Sequence, residues 1–167
     1  LEDGLNATII EHASEISRLK DKFNVTRTKI EELDEVVLKC PTDNMYYKFI
    51  AGRCYYLEKD TMTYEKAKQH CSTKFVRGKL FEPESLAKNN LVWNAYKNFW
   101  PAPWIGINEK NSENNFHYDS NGVKISFNPP WKSGYGNKNS NSCIMIWTNL
   151  KWYDWPCSKT QTFLCEQ

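Results

Sequence analysis

Six cysteines, Cys40, Cys54, Cys71, Cys143, Cys157 and Cys165, all lie beyond residue 39 of this 167-residue chain. An even set in so short a chain reads as a disulfide framework made in an oxidising compartment. No two have C-x-x-C spacing, which argues against a zinc site or a redox dithiol. Three of the six frame an aromatic and acidic run near the carboxyl end, from Cys143 and Trp147 through Trp152-Tyr153-Asp154-Trp155 to Cys157 and Cys165.

The chain changes character at Cys40. Residues 1–39 hold no cysteine, proline or tryptophan, and apolar residues recur every seven: Ile9, Ile16, Phe23, Ile30 and Val37 at one position, Leu5, Leu19 and Leu33 at the other. A seam of 3.5-residue period over more than four heptads predicts a left-handed coiled-coil stalk about 50 Å long. His12 and Thr26 interrupt the second seam position, as register-setting polar residues do. An amphipathic helix folded onto the rest of the chain is the alternative reading. The segment carries nine acids against six bases, and two N-glycosylation sequons start at Asn6 and Asn24, with Asn24 on the outer face of the heptad frame.

Residues 40–167 alternate short strand and helix signals around an aromatic-rich core; the chain as a whole has 14% aromatic residues and seven tryptophans. Strands are expected at Tyr46 to Phe49 and Arg53 to Leu57 across Ile50-Ala51-Gly52. Thr63 caps a helix to about Thr73 with Tyr64, Ala67 and Cys71 on one face. Ser85 starts a second helix carrying Leu86, Leu91, Trp93 and Ala95 and broken by Pro101 and Pro103. Trp104 to Ile107 reads as a buried strand, and Asn121-Gly122 as a hairpin turn between Phe116 to Tyr118 and Val123 to Phe127.

The order of these features resembles the C-type lectin-like domain over Cys40 to Gln167. The match includes the amino-terminal cysteine pair of the long form, the Thr63-Tyr64-x-x-Ala67-x-x-x-Cys71 helix and the Gly78-Lys79-Leu80 turn. It continues with Trp104-Ile105-Gly106-Ile107 and the spacing of Cys143, Cys157 and Cys165. The resemblance implies an α+β fold with two helices, antiparallel sheets and a long ligand-binding loop. It also implies disulfides Cys40–Cys54, Cys71–Cys165 and Cys143–Cys157. With the stalk ahead of it, the arrangement is similar to that of collectins, which implies a homotrimer.

Sugar-binding members that this chain resembles hold Ca²⁺ with two loop triplets and an acid just before the fourth cysteine. The corresponding positions here are Tyr135-Gly136-Asn137, Asn141 and Trp152-Tyr153-Asp154. One carboxylate and two amides remain where a hard cation needs six to eight oxygens, and Gly136 replaces the proline usually held cis. Glu109 and Glu113 resemble ligands of a second calcium position, but Lys138 and Ser142 stand where acids are expected. The expectation is therefore no cofactor, with Glu109, Glu113, Asn137, Asn141 and Asp154 as weak metal candidates. Tyr135, Tyr153, Trp147 and Trp155, with Asn137, Asn141 and Asp154, form the expected ligand site, since tyrosine and tryptophan anchor interfaces. Trp131 and Trp152 read as core.

His12, His70 and His117 lack a nucleophile's local context and the cysteines are claimed by disulfides, so the chain does not read as an enzyme. Glu82 and Glu84 read as charges favouring a helix start. The net charge of +2 gives no nucleic-acid signature. No apolar run approaches the ~20 residues of a bilayer span, and residue 1 does not begin a signal peptide. The chain reads as a secreted or membrane-anchored extracellular fragment, with an anchor before Leu1 left open. Its expected function is recognition of a protein ligand through the long loop with a degenerate calcium site. The alternative is a carbohydrate-binding lectin with calcium-independent or atypical calcium-dependent recognition.

Overall fold

The computed structural model describes residues 2–40, 45–99, 102–109, 115–136, 142–147 and 149–167, with side chains of the first helix from residue 10 to 32. The chain forms two compact units, Leu1–Lys39 and Cys40–Gln167.

The first unit is one continuous helix, α1 (Glu2–Lys39). Ile16, Leu19, Phe23 and Ile30 are each more than half exposed along it. The polar seam residue Thr26 turns its hydroxyl back to donate to the Lys22 carbonyl at 2.9 Å. Ion pairs Arg18–Glu15 (2.7 Å) and Arg27–Glu31 (3.3 Å) decorate the surface; such exposed pairs stabilise a helix by only a few tenths of a kcal/mol. Asn24 is exposed, whereas the Asn6 side chain lies outside the described ones.

The second unit is built on strands β1 (Tyr47–Ile50), β2 (Arg53–Met62), β3 (Lys79–Leu80), β4 (Trp104–Glu109), β5 (Phe116–Tyr118), β6 (Ser142–Ile146), β7 (Trp152–Pro156) and β8 (Gln161–Glu166). Its helices are α2 (Tyr64–Lys74) and α3 (Leu86–Asn94). The strands join into one eight-stranded sheet of order β1-β2-β8-β4-β6-β7, with β3 on β8 and β5 on β4. All pairings are antiparallel except β4 with β8, at Trp104 and Phe163. That pairing links what the sequence presents as separate sheets.

Strand alternation sorts the core. Ile105 and Ile107 of β4 and Leu164 of β8 face a cluster with Trp93, Tyr96 and Trp152. On the other side Trp104 packs edge-on to Tyr64 of α2, ring centroids 5.8 Å apart. The implied disulfides Cys40–Cys54, Cys71–Cys165 and Cys143–Cys157 are all present, and the second ties α2 to β8. Gly78 precedes β3 where a Cβ would stand 2.2 Å from the Cys71 carbonyl oxygen, so only glycine fits that approach.

Several local expectations are corrected. Strand β2 runs on to Met62 rather than stopping at Leu57, because its far half pairs with β8. Thr63 does start α2, but its hydroxyl makes no capping bond; the first turn is anchored by Tyr64 N–H donating to the Cys157 carbonyl at 3.1 Å. In α3, Ser85 accepts from Lys88 N–H at 3.1 Å as a cap should, yet Leu86 and Leu91 are exposed. The buried face is Asn89, Val92 and Trp93, because the Asn89 amide oxygen accepts the indole N–H of Trp152 at 2.9 Å inside the core. The helix ends at Asn94, well before the prolines. The second arm of the Asn121-Gly122 turn is not a strand and bridges only through His117 and Lys124. Glu82 does not serve the start of α3. It is buried, takes hydrogen bonds from Lys79 Nζ, from Ser120 N–H at 2.7 Å and from Ser120 Oγ at 2.6 Å, and so fixes the β5 turn.

Candidate ligand-binding groove

Strands β6 and β7 pair in register, with Met145 opposite Tyr153 and Cys143 opposite Trp155. Because side chains alternate along a strand, Trp152 and Asp154 of β7 point inward and are buried, while Tyr153 and Trp155 remain half-exposed. The sequence Trp-Tyr-Asp-Trp thus separates into two core residues and two surface aromatics.

Two turns bring further rings to that surface. Residues 132–135 form a turn in which Tyr135 N–H donates to the Lys132 carbonyl at 2.9 Å. The β6–β7 connection is closed by Trp147 N–H donating to the Lys151 carbonyl at 2.9 Å, with Leu150 at φ 64. The Tyr135 and Tyr153 rings then meet at 4.5 Å, and Trp147 meets Tyr153 at 5.6 Å. With Trp155, Met145, Ala102, Thr61 of β2, and Gln161 and Thr162 of β8 they line a groove of about 650 Å³. Trp147 is the most open of the aromatics, at 43% exposure.

Beneath the turn, Trp131 is half-buried between Phe116 (4.8 Å) and Trp152 (5.8 Å). Gly136 lies against its ring. With φ 87 and a hypothetical Cβ only 2.5 Å from the indole, this position admits no other residue without movement. The contact was not readable from sequence, where Gly136 shows only that the usual proline is missing.

Of the sequence-predicted site residues, Tyr135, Trp147, Tyr153 and Trp155 come together in the groove. Asp154 does not: it is 6% exposed on the inward face. Asn137, Asn141 and Glu113 lie outside the described residues. Thr61, Ala102, Met145, Gln161 and Thr162 were not anticipated. They arrive through strand pairings between segments far apart in sequence, and no local motif marks them.

The weak metal candidate Glu109 is placed elsewhere, at the end of β4. It is 3% exposed in a second, polar depression of about 320 Å³ with Tyr64, Lys68, Asn108, Asp119 and Ser142. There Lys68 Nζ sits 2.8 Å from Asp119, whose other oxygen accepts from the Asn108 amide at 2.7 Å. The hydrogen bond to Asp119 raises the Lys68 ammonium above the usual lysine range, so a fixed cation already stands in this depression. Asp154 is not among the residues lining it. Among the described residues, no cluster of three or more His, Cys, Asp or Glu side chains could hold a metal ion.

Comparison with known proteins places this geometry. A family model for the lectin C-type domain matches residues 60–167. The hepatic lectin of Gallus gallus is 27% identical over 164 residues, covering 96% of this chain and 75% of that lectin. The carbohydrate-recognition domain of mouse scavenger receptor C-type lectin superposes with a TM-score of 0.62 at 22% identity, over 77% of this chain and 97% of that domain. Human lithostathine gives 0.64 at 24% identity, over 76% of this chain and 98% of its own.

Proposed function

The chain belongs to the C-type lectin domain family, and we propose that its lectin head is an extracellular recognition module that docks a protein ligand in the aromatic groove without a full calcium-dependent sugar site. The observation that carries this reading is the contact between Tyr135 and Tyr153. At these two loop positions the sugar-binding members that the chain resembles place oxygen ligands to Ca²⁺, and a hard cation cannot replace its hydration shell with aromatic rings. Rings at these places offer anchor surface of the kind that dominates protein interfaces. The relatives are binding proteins, and among the described residues lining the groove none supplies a nucleophile with a paired base.

A second reading, sugar binding without calcium, is favoured by the same rings, whose faces can stack on the apolar faces of a pyranose. We further propose that α1 associates with copies of itself as a coiled coil, with three heads side by side. Linked heads raise weak single contacts to useful avidity through effective concentration.

The test is the full chain applied to an array of neutral glycans with Ca²⁺ and with EDTA, together with its melting temperature in each. The expected result is no chelator-sensitive binding and a melting temperature unchanged by EDTA. Neutral sugar binding that disappears on chelation would overturn the proposal and restore a metal site in the loop.

A further inference from the structure

We propose that the mouth of the aromatic groove carries a second recognition element, a lysine rim that binds sulfated polysaccharide. From Asn121 to Cys165 the sequence holds five lysines, at 124, 132, 138, 151 and 159, no arginine, and Asp154 as its one acid. Asp154 is buried on the inward face, whereas Lys124, Lys132, Lys151 and Lys159 are all exposed. The solvent side of this segment therefore presents a single sign of charge.

The backbone sets Lys132, Lys151 and Lys159 beside the groove. The Lys132 carbonyl accepts from Tyr135 N–H and the Lys151 carbonyl from Trp147 N–H, so two of the four groove aromatics are each bonded directly to a lysine. The parallel bridge between Trp131 and Trp152 brings the Lys132 and Lys151 segments side by side. Lys159 N–H donates to the carbonyl of Pro156, the neighbour of Trp155. Elsewhere in the head four lysines are matched by carboxylates, Lys68 by Asp119, Lys74 by Glu58, and Lys79 and Lys88 by Glu166, whereas Lys66 and Lys97 are exposed and lie apart from the groove. Among the described residues Lys124, Lys132, Lys151 and Lys159 have no such partner. The lining residue Thr61 on β2 is preceded in sequence by Asp60 and Lys59, whose charges offset one another.

The chemistry of the rim selects among ligands. A box of Tyr and Trp could hold a quaternary ammonium, but surrounding ammonium groups repel one. A carboxylate-rich protein surface is normally met by arginine, whose planar fork binds carboxylate in a bidentate way, and protein interfaces are depleted in lysine. Lysines act as point charges that suit a tetrahedral anion approached from several directions. Sulfate groups repeated along a polysaccharide match several such charges, and the sugar rings between them can lie on Tyr153 and Trp147. This element goes beyond the protein ligand proposed above and stands without it.

The test uses the full chain and a size-fractionated heparin oligosaccharide in EDTA, with the same oligosaccharide after chemical desulfation as the second arm. Binding should weaken steeply with added salt, since exposed charges are screened within about 10 Å at 0.1 M, and the desulfated oligosaccharide should not bind. The double variant Lys132→Ala/Lys151→Ala should bind about tenfold more weakly, the sum of two exposed ionic contacts. Lys66→Ala/Lys97→Ala, which removes two exposed lysines from α2 and from the 3-10 turn at Lys97–Phe99, should change it by no more than about twofold. Lys132→Arg/Lys151→Arg should retain binding, which separates lost charge from lost folding. Equal losses in the two alanine variants, binding of the desulfated arm, or no binding of heparin at low salt would each overturn the lysine rim. None of these outcomes touches the calcium-independence tested on neutral glycans.

Discussion

Gly136 shows how one residue shapes the groove. Its φ of 87 lies in the left-handed region, and its missing Cβ leaves room for the Trp131 ring to lie against the backbone. That contact supports the turn which carries Tyr135. Gly52, in the β1–β2 turn, has a similar φ of 79 but nothing within 4 Å of a built Cβ. Gly52→Ala should therefore cost about 1 kcal/mol of strain alone, whereas Gly136→Ala adds overpacking and should cost about 2–4 kcal/mol. Urea unfolding of both variants measures the difference, and equal midpoints would remove Trp131 as the reason for the glycine. At this scale the sequence was legible where chemistry is local, as in the pairing of cysteines implied by the family spacing or the two tyrosines, Tyr135 and Tyr153, whose rings meet. It was silent where a residue matters through a partner distant in the chain. Asn89 reads as a solvated helix residue, and only its bond to the Trp152 indole explains why it is buried.

At the scale of elements, the sheet and helices are held together by tyrosines whose hydroxyls are buried. Tyr96 donates to the Tyr55 carbonyl of β2 at 2.8 Å, Tyr118 of β5 donates to the Pro83 carbonyl ahead of α3 at 3.0 Å, and Tyr64 opens α2 fully buried. Burial pushes the phenols of Tyr55, Tyr64, Tyr96 and Tyr118 upward, since the phenolate would lose its hydration. An unfolded tyrosine ionises near pH 10. Above about that pH the unfolded chain therefore holds fewer protons than the folded one, and stability falls with rising pH. The stabilisation is complete below pH ~10 and is lost as the pH rises toward the raised folded values. Tyrosinate absorbance and near-ultraviolet circular dichroism followed together should show these four rings ionising only as tertiary structure is lost. Smooth ionisation with the dichroism intact would contradict the burial. The helices α2 and α3 and the strands β1, β2, β4 and β5 were readable from apolar alternation and turn residues, whereas β3, β6, β7 and β8 were not read as strands. The sheet order was not readable, because the β4–β8 pairing joins segments more than fifty residues apart and rests on one register position.

At the scale of the whole molecule, the two units differ in what stabilises them. All three disulfides and the aromatic core lie within Cys40–Gln167. The helix Glu2–Lys39 has no disulfide, and Ile16, Leu19, Phe23 and Ile30 are exposed along it in the single chain. Most helical stability in proteins comes from packing an apolar face rather than from propensity, so a helix of this length with a seven-residue apolar repeat calls for partners. Other copies of the same helix would supply a matching repeat, as proposed above. If the stalk is the oligomerising element, removing residues 1–39 should leave a folded head that sediments as a monomer, while the full chain sediments as a trimer. Replacing Phe23 and Ile30 by aspartate in the full chain should give the same monomer without shortening it, because charges in the seam are desolvated on association. Analytical ultracentrifugation of the three proteins decides the matter, with the melting temperature of the shortened chain confirming that the head is intact. Equal mass per head-containing particle in all three, allowing for the deletion, would assign any association to the lectin head and leave the apolar repeat of the helix for a partner other than itself.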